Sequence, residues 1–121
     1  MQFKKAGYDA MIVRGRSEKP VWIEIKNDAI TFHDGSEFWG MRVFAATAKL
    51  GQNNNKRNVL CIGPAGENLS RIAAIMNDRE RALARGCPCA VMGSKNLKAI
   101  VVEGNERPEI EDPDRFKFLL Y

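Results

Sequence analysis

Apolar and polar residues alternate over two neighbouring stretches of the chain. From Pro20 to Lys26, valine and isoleucine alternate with tryptophan, glutamate and lysine. A period of two is typical of a half-buried antiparallel strand. The turn residues Asn27-Asp28 follow, and alternation resumes from Ile30 to His33. The pattern therefore predicts a β-hairpin over residues 20–34.

Four further short stretches are largely apolar and predict strands. They are Tyr8 to Val13, Asn58 to Ile62, Ala90 to Met92 and Leu97 to Glu103. Two helical patterns lie among them, one from about Met41 to Leu50 and one from about Leu69 to Met76.

A last helix is predicted to start at Pro113, with Asp112 as its N-cap. Its two turns would be marginal unless docked, which suggests the start of a longer helical segment cut at this point. The elements together predict an α+β fold, a mostly antiparallel β-sheet with two or three helices in one domain.

The composition is that of an ordinary globular domain. Of the 121 residues, 45% are hydrophobic and 28% are charged. The apolar runs are too short to cross a bilayer and no secretion signal begins the chain, so we expect a cytoplasmic protein without a membrane partner. Three cysteines in such a protein argue against a disulfide framework.

The net charge of +4 is mild and is compatible with an anionic partner, such as nucleic acid or a phosphorylated cofactor. Aromatic residues are not interleaved with the basic clusters as they are in single-strand binders. We therefore expect no nucleic-acid partner.

The stretch from Arg81 to Lys98 carries the strongest candidate chemistry. Arg81 and Arg85 are followed by Gly86, and Gly93 precedes Ser94, Lys95 and Asn96. Arginine beside backbone that a ligand can approach closely suits phosphate or another anion. The alternative is a glycine-punctuated loop with a solvated basic edge.

Other candidate groups give weaker predictions. The turn from Gly63 to Asn68 could favour an anion or could serve tight packing. His33, placed opposite the core face of its strand, is more often structural than catalytic. Cys61 is predicted to be a buried small hydrophobe. Cys87 and Cys89 could supply two metal ligands, or could be small residues in a tight loop.

Four sequence blocks, in order, resemble the tungsten-containing aldehyde ferredoxin oxidoreductases. The resemblance extends to about Gly104, and the last block is long and unusual. The blocks are Lys5 to Ala10, Ile62 to Leu69, Ile75 to Asp78 and Ala90 to Ile100.

The resemblance implies an enzyme that oxidises aldehydes to carboxylic acids and passes electrons to ferredoxin through a [4Fe–4S] cluster. Its metal, tungsten or molybdenum, would be held by two pterins whose phosphates share a magnesium ion. Residues 1–107 would form the second half of a duplicated N-terminal domain on which the cofactor sits. Residues 108–121 would be the truncated start of the following helical segment.

The resemblance also assigns cofactor-binding residues. Arg81 and Ala82 would contact the pterin phosphates and magnesium, Ala82 through its backbone carbonyl, and Arg85 and Gly86 match a glycine-rich loop of the family. Two glycines of that loop are replaced here by Cys87 and Cys89. If those positions need positive φ or a close approach, the loop must differ.

These residues do not make a complete enzyme. By resemblance, the other half of the platform and the cluster cysteines lie outside this chain. We therefore expect a fragment or subunit that contributes part of the cofactor platform and is inactive alone, with the remaining domains or subunits as partners. The alternative is a stand-alone binding or assembly module without redox activity, in which two copies pair as a homodimer.

Overall fold

A computed structural model describes residues 2–52, 54–78, 80–106 and 109–120. The described residues form one six-stranded sheet with helices packed on it. The strands are β1 Val21–Lys26, β2 Ala29–Asp34, β3 Arg57–Cys61, β4 Ile75–Asn77, β5 Arg81–Leu83 and β6 Leu97–Glu103. The helices are α1 Gln2–Lys5, α2 Val43–Gly51, α3 Pro64–Glu67, α4 Pro88–Ser94 and α5 Pro113–Leu120, with a 3₁₀ turn at Ser36–Phe38.

The strand order is β2-β1-β6-β3-β4-β5. The β1–β6 pair is parallel and the other four pairs are antiparallel. This arrangement confirms the predicted α+β fold with a mostly antiparallel sheet. The predicted hairpin over residues 20–34 is also confirmed, because β1 pairs with β2 from Val21 opposite Asp34 to Lys26 opposite Ala29.

The central strand, β6, is buried on both faces of the sheet. Six of its seven residues are buried, which explains its nearly continuous apolar sequence. Its side chains alternate between two clusters: Ile100 and Val102 pack with Ile23 and Ile25 on one face, whereas Ala99 and Val101 pack under α2 on the other.

Lys98 is the polar exception in this strand, and its side chain is 0% exposed. Its Nζ atom donates to Glu67 Oε1 at 2.5 Å and to the Met41 carbonyl at 2.8 Å. The other carboxylate oxygen of Glu67 accepts from the Gly40 N–H at 2.8 Å. The buried ion pair therefore ties β6 to α3 and to the segment that enters α2.

The turn from Gly63 to Asn68 includes the short helix α3, which packs closely against α4 through a glycine on each helix. A Cβ atom on Gly93 would lie 2.0 Å from the Gly66 carbonyl oxygen, and one on Gly66 would lie 2.3 Å from Cys89 Sγ. Since neither glycine has room for a side chain, close helix packing accounts for both, and the packing interpretation of this turn is the one the structure supports.

His33 has a structural environment, as predicted, and the predicted phase of its strand is confirmed. Phe32 and Ile30 are opposite the buried Ile23 and Ile25 of β1 and share their face of the sheet, whereas His33 is on the other face. Ile30 and Phe32 are nonetheless 47% and 66% exposed, because β2 is an edge strand. The partly buried His33 ring stacks on Trp22 with centroids 4.1 Å apart, and its Nε2 lies 3.0 Å from Glu24 Oε2. Stacking on Trp22 is possible because the two residues are cross-strand partners.

Three predicted elements differ from the structure. Tyr8 to Val13 contains no strand, and its Tyr8, Met11 and Val13 side chains pack on the sheet as irregular chain. Residues 69–76 are not a helix, since β4 begins at Ile75. Residues 90–92 are helical within α4, because Pro88 supplies a helix start that the apolar pattern alone does not reveal.

The helix at Pro113 is confirmed together with its N-cap, since Asp112 Oδ1 accepts from the Arg115 N–H at 2.9 Å. All eight residues of α5 are exposed. Among the described residues, no helix has the length and apolar character needed to cross a membrane.

Glu67→Gln should lower the free energy of unfolding by about 3 kcal/mol, because it leaves the buried Lys98 ammonium without its counter-charge. Urea unfolding of the purified chain measures this change. Glu37→Gln is the matched control, since Glu37 pairs with Lys49 at the surface and its loss should cost less than about 1 kcal/mol. Equal effects of the two substitutions would contradict a structural role for the buried pair.

Candidate functional site

The two arginines predicted to bind phosphate lie at one edge of the sheet. β4 and β5 form a hairpin in which Asn77 is opposite Arg81, Met76 opposite Ala82 and Ile75 opposite Leu83. β5 pairs with β4 alone and is the last strand in the order. An edge strand leaves part of its backbone N–H and C=O groups without partners in the sheet.

Every residue from Glu80 to Gly86 is exposed, including the four predicted cofactor-binding residues Arg81, Ala82, Arg85 and Gly86. None of the ion pairs among the described residues involves Arg81 or Arg85. The structure therefore brings the four predicted residues onto one short exposed segment, with two guanidinium groups available to an anion.

The loop after β5 takes an unusual backbone conformation at two consecutive residues. Gly86 has φ 89° and Cys87 has φ 59°. Cys87 thus occupies the left-handed region that favours glycine, at a cost of roughly 1 kcal/mol or more. Pro88 then starts α4 at the next residue.

The second half of the candidate stretch has a structural role. Gly93 is buried against α3. The Lys95 ammonium donates to the Gly15 carbonyl at 2.9 Å, and the Asn96 amide donates to the Ser17 carbonyl at 2.8 Å. These contacts fasten the N-terminal segment to the sheet, so the anion-binding candidates within the stretch reduce to residues 81–86.

The three cysteines differ in their surroundings. Cys61 is buried, as predicted, and burial raises its pKa from 9.0 to about 11. Burial also raises the pKa of Cys89, which lies against α3. Cys87 is partly exposed at the start of α4. In the part of the chain that the structure describes, no three histidine, cysteine or acidic side chains are grouped as metal ligands.

A cavity of about 300 Å³ opens on the face of the sheet that carries Arg81. Cross-strand partners share a face, so Leu60, Asn77 and Arg81 point to the same side. Leu60 and Asn77 line the cavity together with Gln2, Phe3, Met11, Asn58, Ile100 and Val102. A mostly apolar recess with amide groups thus lies on the same face of the sheet as Arg81, and such recesses are typical of small-molecule sites.

Comparison with known proteins gives a consistent result. Residues 1–104 match the family profile described as aldehyde ferredoxin oxidoreductase, N-terminal domain. A tungsten-containing aldehyde ferredoxin oxidoreductase of Pyrococcus furiosus is 49% identical over 98% of this chain and 20% of its own length. The corresponding enzyme of Thermococcus kodakarensis is 48% identical with the same coverage. This chain therefore spans about a fifth of the length of these curated relatives.

The fold is shared with a solved enzyme structure. The active site complex BamBC of benzoyl coenzyme A reductase, solved with 1,5 dienoyl-CoA, superimposes with a TM-score of 0.92 and 35% identity. The match covers 98% of this chain and 18% of that chain. An aliphatic sulfonate oxidoreductase subunit of Pyrococcus furiosus is 36% identical over 99% of this chain and 22% of its length.

Thiol titration of the folded chain at pH 8 should modify Cys87 rapidly and leave Cys61 and Cys89 protected, because both lie buried. Urea should expose all three thiols. The folded state keeps the Cys61 proton above pH 9.0, where the unfolded thiol loses it, so stability from this group is present below pH 9 and is lost as pH rises towards 11. Rapid modification of Cys89 before Cys87 would contradict this placement.

Proposed function

This chain belongs to the aldehyde ferredoxin oxidoreductase family, and from that premise we propose that it forms part of the platform for a tungsten or molybdenum bis-pterin cofactor. Residues 1–107 are proposed as the second half of the N-terminal domain. Residues 108–121, which include the exposed helix α5, are proposed as the start of the following helical segment.

The observation that carries the proposal is the exposed edge from Arg81 to Gly86. All residues of this segment are exposed, and neither of its two arginines takes part in an ion pair among the described residues. Exposed arginine beside backbone of low bulk suits recognition of phosphate, because the guanidinium fork can donate two parallel hydrogen bonds.

The residues present fit the phosphate end of such a cofactor. Arg81 and Arg85 would hold pterin phosphates, and the exposed Ala82 on the edge strand would offer its carbonyl oxygen to magnesium, a cation that prefers oxygen ligands. Gly86, at positive φ and with open space at its Cα, would let the phosphates approach the backbone.

The remaining chemistry belongs to other parts of the proposed enzyme. The tungsten–pterin group would supply the two-electron oxidation of an aldehyde to a carboxylic acid, with ferredoxin as the electron acceptor. The [4Fe–4S] cluster would be held by other domains or subunits. This chain's share is electrostatic: two fixed positive charges hold and orient the phosphates, and the sheet behind them supplies a rigid support.

Arg81→Ala should weaken the binding of magnesium pyrophosphate to the purified chain about tenfold, because one charge-assisted contact is lost. Isothermal titration calorimetry at low salt measures the affinity. The matched control is Arg14→Ala, since Arg14 is exposed beside β1 and β2 at the opposite edge of the sheet. An equal loss in both variants would indicate general charge attraction. A loss of thermal stability in ligand-free Arg81→Ala that matches its loss of affinity would indicate a structural role.

A second copy of the chain is the alternative partner, and the open strands at both ends of the sheet are the features that favour it. β2 has five exposed residues out of six. If the missing half of the platform is instead supplied by other polypeptide, sedimentation equilibrium should give a monomer at high micromolar concentration. A dimer with a dissociation constant in the low micromolar range would support the self-pairing module.

A further inference from the structure

The turn that connects β4 to β5 is fixed to the neighbouring strand β3 through one residue, Asp78. Its carboxylate Oδ1 accepts from the Val59 N–H at 2.8 Å, and its Oδ2 accepts from the Asn58 amide at 2.5 Å. The Asp78 N–H also donates to the Val59 carbonyl at 2.7 Å. Three hydrogen bonds thus join this one turn residue to β3.

The backbone conformation explains why a side chain is needed here. Regular pairing of β3 with β4 ends at Leu60 opposite Asn77. Asp78 then adopts φ 54°, which starts the turn towards β5. In a regular antiparallel pair the Val59 N–H would donate to a backbone carbonyl of the facing residue. In this turn the carboxylate of Asp78 takes the place of that carbonyl as the acceptor.

The position of β5 depends on this attachment. β5 has three residues and pairs with β4 alone, and β4 has three residues and two paired positions with β3. A ladder this short contributes little stability by itself. The hydrogen bonds of Asp78 extend the contact with β3 at the end of the hairpin that is next to Arg81.

We propose that Asp78 is a positioning residue that holds the β4–β5 hairpin so that Arg81 and Ala82 are presented in a fixed geometry. This inference rests on the proposed function for the role of the presented residues, but the attachment itself does not. Residue 78 needs two properties: a side-chain oxygen that accepts hydrogen bonds and tolerance of the left-handed backbone conformation. Asparagine has both. Glycine has only the second, and alanine has neither.

Three substitutions separate these requirements: Asp78→Asn, Asp78→Gly and Asp78→Ala. Glu80→Gln is the control, since it removes an exposed carboxylate from the same turn. Amide hydrogen exchange followed by NMR on the full chain reports on Leu83 in the hairpin, whose N–H faces Ile75 of β4, and on Val101 in the central strand. Calorimetry with magnesium pyrophosphate then reports on the presentation of Arg81.

Asp78→Gly and Asp78→Ala should lower the protection of the Leu83 amide about tenfold without changing Val101, and should weaken pyrophosphate binding about fivefold. Asp78→Asn should retain most of both properties, and Glu80→Gln should retain hairpin protection. An unchanged hairpin in Asp78→Gly would overturn the inference. So would an equal loss of protection at Val101, since that indicates a global effect on folding.

The two hypotheses fail in different ways. If the unsubstituted chain and Arg81→Ala bind pyrophosphate equally weakly, the proposed function is contradicted, and the exchange data still decide whether Asp78 holds the hairpin. If pyrophosphate binding depends on Arg81 but all three Asp78 variants bind as the unsubstituted chain does, the platform role stands and the positioning role is overturned.

Discussion

The buried ion pair between Lys98 and Glu67 is the interaction on which the rest of the fold depends. An ammonium group with no solvent exposure must be neutralised by a counter-charge and hydrogen-bonded, because an unpaired buried charge costs several kcal/mol. Glu67 and the Met41 carbonyl meet this requirement, and Gly40 occupies the remaining carboxylate oxygen. The buried ammonium group of Lys98 thereby holds β6, α3 and the segment that leads into α2 together.

The ion pair also lies where the sheet is irregular. Val21 of β1 faces Leu97 and Trp22 faces Ala99, so Lys98 has no partner residue on β1. Such an extra residue re-aims a side chain, and here the Lys98 side chain reaches α3. Next to it, Gly66 and Gly93 allow α3 and α4 to approach within a distance that any side chain would prevent. The centre of the domain is therefore tightly specified.

The candidate site, in contrast to the buried centre, is exposed on the surface. β5 is short, exposed and held by few contacts, whereas β6 is buried on both faces. A rigid centre that carries an exposed, backbone-accessible edge is a suitable support for a large phosphorylated ligand, since functional groups are commonly placed on loops and edges fixed to a stable scaffold.

Much of the sheet could be predicted from the sequence, because its strands satisfy simple local rules. Alternation marked β1 and β2, and a continuous apolar run marked β6. The misses have physical causes. β4 has three residues, too few for a period to show. α4 contains glycine and cysteine, residues of low helix propensity, at the positions where α3 packs against it. Its local sequence therefore does not resemble that of an isolated helix.

The candidate site was only partly accessible to sequence reasoning. Arg81, Ala82, Arg85 and Gly86 could be named from a motif resemblance, but their position on an edge strand follows from tertiary pairing. The attachment of Asp78 to Val59 is also tertiary. An aspartate after asparagine indicates a turn, and nothing local reveals which strand will supply the donor.

The most direct test of the platform role is the tungsten, molybdenum and pterin content of the complex that this chain purifies with from its own cell. A tagged chain supplies the complex, and metal analysis together with pterin fluorescence supplies the stoichiometry. If the edge from Arg81 to Gly86 holds the cofactor, metal and pterin should be present in fixed proportion to the chain and should fall in Arg81→Ala. A metal-free and pterin-free protein would contradict the platform role.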